Sequence, residues 1–213
     1  MKKDQFYYHG SPAKNIKVLE PRVSNHGIAY IYFSDTRENV LVYLSNAIKK
    51  VCDETNFNYE GIYHTWASYG FKNGKLEIQE YYPNATYDTY KGVSGYIYKV
   101  KDVPDIEVQD DIPHAYKTKT KTKIDSVEYI EDAYEEIMKC VESGKIELLK
   151  YDDFMKEKGQ WLEKTIIKEY KETTNPPYKH FLEVKFKEYI KKVNNEEKSI
   201  NWDIFKRSCW LWY

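Results

Sequence analysis

The hydrophobic pattern of the chain changes near residue 130, and this change most constrains the fold. Before it, short runs of aromatic and β-branched residues are separated by Gly, Pro and Asn, which is typical of β-strands. These runs are QFYYHG, GIAYIYFSD, GKLEIQEYYP, GYIYKVKDV and IDSVEYI. After it, apolar residues recur at helical spacing in EDAYEEIMKCVESGK, DDFMKEKGQWLEKTIIKEYKE and HFLEVKFKEYIKKV. The sequence therefore predicts an α+β body over residues 1–150 and a helical C-terminal extension, residues 151–213, packed on it.

Local signals refine this division. Asn73-Gly74 predicts a hairpin turn between two strands. A helix is predicted to begin at Asp35 and to run through DTRENVLVYLSNAIKKV, with Glu38 completing a capping box. Residues 115–124 predict one strand whose alternation puts lysines on one face and threonines on the other. The aromatic tail, residues 202–213, is predicted to dock against the rest of the chain.

The composition argues against several classes of protein. The 213 residues include 33 basic and 34 acidic side chains, so a uniformly basic nucleic-acid-binding chain is not expected. Cys52, Cys140 and Cys209 are an odd number of widely spaced thiols, which argues against a disulfide-stapled secreted domain. No apolar run approaches the roughly 18 residues of a membrane span, and none follows Lys2-Lys3 as in a signal peptide. We therefore expect a cytoplasmic protein without membrane contact and, because no histidine has metal-ligand spacing, without a metal.

Two short motifs carry polar and aromatic residues to the ends of predicted strands. His9-Gly10-Ser11 follows an apolar strand, and the missing Cβ of Gly10 would let a ligand lie close to the backbone. The alternative for His9 is a hydrogen-bonded histidine at a turn. Tyr32 ends the next strand, and Tyr43 follows eleven residues later on the predicted helix. Two phenol rings in that geometry could sandwich a flat heterocycle, or they could fill the core.

Taken together, these residues resemble the ADP-ribosyltransferase superfamily, in the His-Tyr-acid branch that contains diphtheria toxin and the poly-ADP-ribose polymerases. Tyr8-His9-Gly10-Ser11 is similar to the first-strand motif of that branch. Tyr32-Phe33-Ser34-Asp35, followed by Tyr43, is similar to its strand-to-helix tyrosine pair. The resemblance covers residues 5–135 and implies a split antiparallel β-sheet.

The resemblance also implies which residues bind NAD as a substrate. His9 and Gly10 are expected at the nicotinamide-side ribose and amide, and Tyr32 and Tyr43 are expected to stack around the nicotinamide. Arg22, in Leu-Glu-Pro-Arg, is the candidate pyrophosphate contact. The full set of implied NAD-binding residues is His9, Gly10, Ser11, Arg22, Tyr32, Phe33, Ser34 and Tyr43.

The third motif of that family, a glutamate on a late strand, is not evident. Residues 115–124 align with this strand, and Thr120 falls near the glutamate position, so Thr120 is the residue expected to act there. The acids that flank the strand are Glu107, Asp110, Asp111, Asp125 and Glu128. Either the acid comes from elsewhere, or another polar residue replaces it, or the activity is lost.

The lysines of the same strand have two interpretations. Lys117, Lys119, Lys121 and Lys123 could protect a solvated edge strand from pairing. They could also form a strip that faces the phosphates of a nucleic acid or of the cofactor. The chain has only three arginines, Arg22, Arg37 and Arg207, which argues against bidentate reading of bases.

The resemblance therefore implies an NAD-dependent ADP-ribosyltransferase that passes ADP-ribose to a protein or a nucleic acid, as a bacterial or phage toxin, defence factor or modifier. The alternative is a degenerate, non-catalytic module that binds NAD, ADP-ribose or a partner. RNA 2′-phosphotransferase chemistry fits poorly because it relies on several arginines. Gly61-Ile62-Tyr63 matches half of a GIY-YIG nuclease signature and lacks the other half, while a Cys–His nucleophile pair stays open. The sequence leaves open the acceptor and the oligomeric state.

Overall fold

The chain forms two compact units of different secondary structure. The computed structural model describes residues 5–23, 27–59 and 68–193. The first unit comprises residues 1–47 and 65–151, and the second comprises 48–64 and 152–213. Residues 48–64, which the sequence places in the N-terminal body, thus group with the C-terminal helices. The mixture of antiparallel strands and helices confirms the predicted α+β class.

The described strands all lie in the first unit, at the aromatic and β-branched runs of the sequence. The first six are β1 (Tyr7–Ser11), β2 (Val18–Leu19), β3 (Arg22–Val23), β4 (Ala29–Ser34), β5 (Tyr69–Lys72) and β6 (Lys75–Gln79). The others are β7 (Gly95–Val100), β8 (Glu107–Val108), β9 (Ala115–Thr118), β10 (Thr122–Lys123), β11 (Ser126–Ile130) and β12 (Glu147–Leu149). The predicted hairpin at Asn73-Gly74 is confirmed, because Lys72 pairs with Lys75 between β5 and β6.

The largest sheet has the order β11-β7-β1-β4-β9-β8, with β3 paired to the edge of β4. Its neighbouring strands are antiparallel, and β1 pairs with β7 along its whole length, from Tyr7↔Val100 to Ser11↔Tyr96. In contrast, the ladder between β1 and β4 within the described residues consists of Tyr8↔Ser34 alone. The sheet therefore opens between β1 and β4 on one side of that pair. Two smaller sheets, β10-β2 and β12-β6-β5, complete the unit.

The predicted helix over residues 35–51 is wrong in its extent and in its cap. A 3₁₀ helix spans Arg37–Tyr43, and a separate helix, α1, spans Ala47–Glu54. Thr36 occupies the N-cap position without a side-chain hydrogen bond, so Asp35 and Glu38 do not form a capping box. Four consecutive residues of the 3₁₀ helix, Asn39 to Val42, are buried, and an α-helix with one apolar stripe does not bury a continuous run in this way.

The predicted single strand over residues 115–124 is also wrong. Strand β9 ends at Thr118, whose hydroxyl donates to the carbonyl of Pro104 and accepts from the amide of Thr120. These side-chain bonds turn the chain, and β10 then pairs with β2 rather than continuing the large sheet. The lysines at 117, 119, 121 and 123 therefore do not form one face.

Two buried clusters lie on the faces of the large sheet. One contains Val40, Leu41, Ile97 and Ile137, and Tyr8 packs against it. Ile137 belongs to α3 (Ala133–Glu142), while α2 (Ala85–Tyr90) also contributes a buried tyrosine to this cluster. The other cluster consists of Tyr7, Leu19, Ile31, Phe33, Val100 and Val103. Because side chains alternate along a strand, adjacent residues of β1 serve different clusters.

The second unit is helical. Helix α4 spans Tyr151–Glu172, and α5 spans Pro176–Lys185 with Asn175 as its N-cap. The ring of His180 stacks on Phe57 at 4.1 Å between centroids, and its Nε2 lies 2.7 Å from the hydroxyl of Thr55. Residues 187–193 are also helical. The predicted break at Thr-Thr-Asn-Pro-Pro is confirmed, since α4 ends directly before it.

Gly10→Ala should destabilise the first unit by about 1–3 kcal/mol, the usual cost of overpacking a core. A Cβ at Gly10 would lie 2.2 Å from the carbonyl oxygen of Val40, and backbone atoms give way less readily than a side-chain end. Urea denaturation measures the change in the free energy of unfolding. Ser126→Ala, at an exposed position of β11 in the same sheet, is the control and should change this free energy by less than about 0.5 kcal/mol. Equal stability of Gly10→Ala and the wild type would contradict the close packing of the 3₁₀ helix on β1.

Candidate functional site

A cavity of about 260 Å³ lies where the large sheet opens between β1 and β4. Its wall takes residues from β1, β4 and the β2–β3 segment. The polar and aromatic residues among them are His9, Ser11, Glu20, Arg22, Tyr30 and Tyr32. These residues span 24 positions of sequence and meet because β3 pairs with the start of β4 while β1 pairs with its end.

His9 bridges the opening with its side chain. Its Nδ1 lies 2.9 Å from the carbonyl oxygen of Tyr32, so the neutral imidazole donates this bond from Nδ1–H and keeps a lone pair on Nε2. Burial lowers the pKa of His9, and the charge of Arg22 lowers it further, against the opposing effect of the Tyr32 carbonyl. The ring is therefore neutral at physiological pH and can accept a hydrogen bond at Nε2.

Gly10 serves the packing of the sheet. It faces the 3₁₀ helix, where the carbonyl oxygen of Val40 occupies the space next to its Cα. The missing side chain thus admits backbone of the same chain, and the ligand contact expected at Gly10 stays a prediction. Ser11, the next residue, lines the cavity, and its hydroxyl accepts a bond from the amide of Ala13.

The two tyrosines of the predicted sandwich have different surroundings. Tyr32 lines the cavity and lies 6.0 Å from the ring of Tyr30. Tyr43 is 41% exposed, lies outside the cavity wall and packs edge-on against Tyr69 at 6.5 Å. Desolvation, followed by the nearby phenols of Tyr69 and Tyr32, raises the pKa of Tyr43, which therefore stays protonated. Tyr43 thus lies within electrostatic range of Tyr32 although it does not line the cavity.

Phe33 and Ser34 also lie outside the cavity wall. Phe33 is buried in the cluster with Tyr7 and Ile31, and its ring lies 6.1 Å from that of His9. The hydroxyl of Ser34 accepts a bond from the amide of Thr36. Both residues therefore support the strand that carries Tyr32.

Thr120, the residue expected at the glutamate position, is not part of this cavity wall. It lies in the turn after β9, where its hydroxyl donates to the carboxylate of Asp105 at 2.8 Å. Two of the flanking acids form ion pairs with basic residues. Glu107 lies 3.8 Å from the ammonium of Lys117, and Glu128 accepts two bonds from Arg37.

The cavity instead contains a carboxylate that the sequence did not single out, that of Glu20. Lys121 lies 2.5 Å from it, and this lysine together with Arg22 lowers the pKa of Glu20. Tyr30, also missed, pairs with Arg22 across the β3–β4 ladder. The ammonium groups of Lys117 and Lys119 lie 4.9 and 5.2 Å from the centre of the Tyr30 ring. In the sequence, the only feature that could have indicated Glu20 as a cavity residue is its position in the segment just before Arg22.

Other candidate sites receive little support. No group of three or more potential metal ligands occurs among the described residues, and none of their helices is long and apolar enough to cross a membrane. Burial raises the pKa of the Cys52 and Cys140 thiols, so neither is an activated nucleophile. The residues outside the described ranges include His26, His64, Gly61-Ile62-Tyr63, Cys209 and the aromatic tail.

The neutral state of His9 predicts a specific pH dependence of stability. Because its pKa is lower in the folded chain than the ordinary value near 6.5, the unfolded chain takes up the proton first as the pH falls. The stability advantage of the wild type over His9→Gln should therefore shrink below about pH 6.5, by at most about 1.4 kcal/mol per pH unit. Urea denaturation of both proteins between pH 7.5 and 5.5 measures it, and all other histidines are common to the two. A constant difference would contradict the buried, neutral His9.

Comparison with other proteins identifies no family for this chain. No protein-family model, no curated protein and no solved structure matches it. The function is therefore inferred from the cavity and its residues.

Proposed function

We propose that the chain binds NAD in the His9 cavity, cleaves its nicotinamide–ribose bond and transfers ADP-ribose to a macromolecule. The observation that carries this proposal is that His9, Arg22 and Tyr32, from three separate strands, line one cavity. Each offers chemistry that one part of NAD requires. A volume of 260 Å³ is somewhat below the roughly 300–1,000 Å³ of pockets for complete ligands, which suits one half of a dinucleotide.

Different residues of the cavity wall would contact different parts of NAD. The free Nε2 of His9 accepts a bond from a ribose hydroxyl, because Nδ1–H is already given to Tyr32. The ring of Tyr32 offers a face for the nicotinamide, which is a cation in NAD. Arg22 makes no ion pair with any described residue, and its guanidinium suits the diphosphate.

The reaction breaks the bond between ribose C1′ and the nicotinamide nitrogen. The electron pair of that bond leaves with the nicotinamide, positive charge develops on the ribose, and the acceptor nucleophile then bonds C1′ and loses its proton. Holding the ribose and the acceptor nucleophile in line lowers the activation barrier and so accounts for much of the rate enhancement. An anionic group near the ribose stabilises the developing charge, and Glu20 is the carboxylate of this cavity wall.

A second candidate is a module that binds NAD or ADP-ribose without cleaving it. The observation that favours it is the state of Glu20, whose charge is engaged by Lys121 at 2.5 Å. A carboxylate held by an ammonium stabilises a ribose cation less than a free carboxylate does.

Incubation with NAD labelled in its adenine half, in a cell lysate, separates the two candidate functions. Label on a macromolecule supports transfer, whereas calorimetric binding without release of nicotinamide supports the module.

His9→Ala and Tyr32→Ala should each weaken NAD binding, measured by titration calorimetry. The loss of a neutral hydrogen bond from His9 corresponds to about 0.5–1.5 kcal/mol, or about 2- to 13-fold in Kd. Thr120→Val should leave Kd unchanged, because Thr120 bonds Asp105 outside the cavity wall. Wild-type affinity in both cavity variants would refute the assignment of NAD to this cavity.

Glu20→Gln should lower the rate of nicotinamide release by one to two decades and leave NAD affinity within about threefold. The estimate follows because the amide of glutamine carries no charge to stabilise the developing ribose cation, and a charged contact is stronger than a neutral one. Glu107→Gln is the matched control, since that carboxylate also faces a lysine, Lys117, but lies outside the cavity wall. An undiminished rate in Glu20→Gln would remove this residue from the mechanism.

A further inference from the structure

A row of aromatic side chains crosses the large sheet beside the cavity. Tyr129 on β11 is opposite Tyr96 on β7, and Tyr96 is opposite Ser11 on β1. Directly opposed residues share a face, and the rings of Tyr96 and Tyr129 lie 5.3 Å apart. Since strands are about 4.8 Å apart, the row runs about 10 Å from the edge of the sheet to Ser11, which lines the cavity.

The outer part of this row is open to solvent. Tyr129 is 57% exposed and Val127, its neighbour on the same face of β11, is 50% exposed. We call Tyr96, Val127 and Tyr129 the aromatic platform. In the next row, Tyr98 is fully buried, and its hydroxyl donates to the carbonyl of Ala13 in the loop of residues 12–17. That bond ties the loop to Tyr98, whose ring lies 6.1 Å from that of Tyr96.

Three exposed lysines lie on the loop that the hydroxyl of Tyr98 contacts and on β10. Lys14 and Lys17 are exposed on the loop, and exposed Lys123 on β10 pairs with Val18 next to Lys17. None of the three forms a salt bridge with another residue of the described ranges. Two acids on and directly before β11 have partners of their own, whereas Glu131, directly after β11, is exposed. Asp125 accepts a bond from the amide of Lys101, while Glu128 points to the opposite face and binds Arg37.

We propose that the aromatic platform and these lysines bind single-stranded nucleic acid and present it to the cavity as the ADP-ribose acceptor. Unpaired bases stack on exposed tyrosine rings irrespective of sequence, and lysines neutralise the phosphates that follow. A duplex hides its base faces in its own stack and gains only the phosphate contacts. The proposed binding of nucleic acid depends only on the aromatic platform and the lysines. The acceptor role also rests on the proposed function.

The test is fluorescence anisotropy with a labelled 12-nucleotide oligothymidylate, of a length within the roughly 4–16 nucleotides that such surfaces cover. Tyr129→Ala should weaken binding about 5- to 150-fold, the ratio that corresponds to the roughly 1–3 kcal/mol of one stacked base. Tyr129→Phe keeps the ring and should bind like the wild type. Lys14→Gln with Lys17→Gln should reduce the slope of log K against log salt by about 1.4, which is about 0.7 for each phosphate contact of a single strand.

Tyr87→Ala is a closely matched control. Tyr87 is 54% exposed and contacts one tyrosine ring, that of Tyr134, at 5.1 Å, much as Tyr129 contacts Tyr96. It lies on α2, away from the aromatic platform, and its replacement should leave binding unchanged. Equal losses in Tyr87→Ala and Tyr129→Ala, wild-type binding by Tyr129→Ala, or equal affinity for a duplex of the same length would overturn the proposal.

A second measurement separates this inference from the proposed function. NAD labelled in its adenine half is incubated with the protein and the oligonucleotide, and NAD binding is measured by calorimetry in parallel. Label on the oligonucleotide supports the acceptor role. NAD binding without oligonucleotide binding overturns the aromatic platform and leaves the proposed function standing. Oligonucleotide binding without NAD binding supports the platform and overturns the proposed function together with the acceptor role.

Discussion

The hydrogen bond from His9 Nδ1 to the carbonyl of Tyr32 joins β1 and β4 at the point where their backbone ladder stops. A continuous ladder would place β1 directly against β4 and leave no room for a ligand between them. The side-chain bond gives the carbonyl of Tyr32 a partner at this opening. It also determines the tautomer of the imidazole, because Nδ1 must carry the proton. Both the cavity and the hydrogen-bonding capacity of its central histidine follow from this one contact.

The two faces of β1 have separate tasks. Tyr8 and Gly10 face the 3₁₀ helix, and the close approach of Val40 to Gly10 anchors that helix on the sheet. His9 and Ser11 alternate with them and line the cavity. A short strand can do both because consecutive side chains point to opposite faces. Stability and ligand binding are therefore carried by adjacent residues, and a change at Gly10 should affect folding before it affects the cavity.

Charge is distributed unevenly around the cavity although the chain is close to neutral. Arg22, Lys117 and Lys119 gather around Tyr30, and Lys121 engages Glu20 at the wall. Other lysines of the first unit form ion pairs with acids outside the cavity wall, as Lys145 does with Glu38. Such local excess of cations over anions attracts phosphate esters at short range, which the net charge of −1 does not reveal.

The pattern of apolar residues determined by itself the strand-rich first part, the helices after residue 130 and the hairpin at Asn73-Gly74, because these depend on local spacing and turn chemistry. Tertiary contacts decided the rest. Asn39 to Val42 are all buried in a 3₁₀ helix where spacing predicted an α-helix, and Tyr43 at its end packs against Tyr69 outside the cavity wall. The bonds of Thr118 to Pro104 and to Thr120 ended a strand that alternation alone would have continued, and they placed Thr120 beside Asp105. The inclusion of Glu20 in the cavity likewise depends on β3 pairing with β4, a contact between segments whose sequence spacing carries no periodic signal.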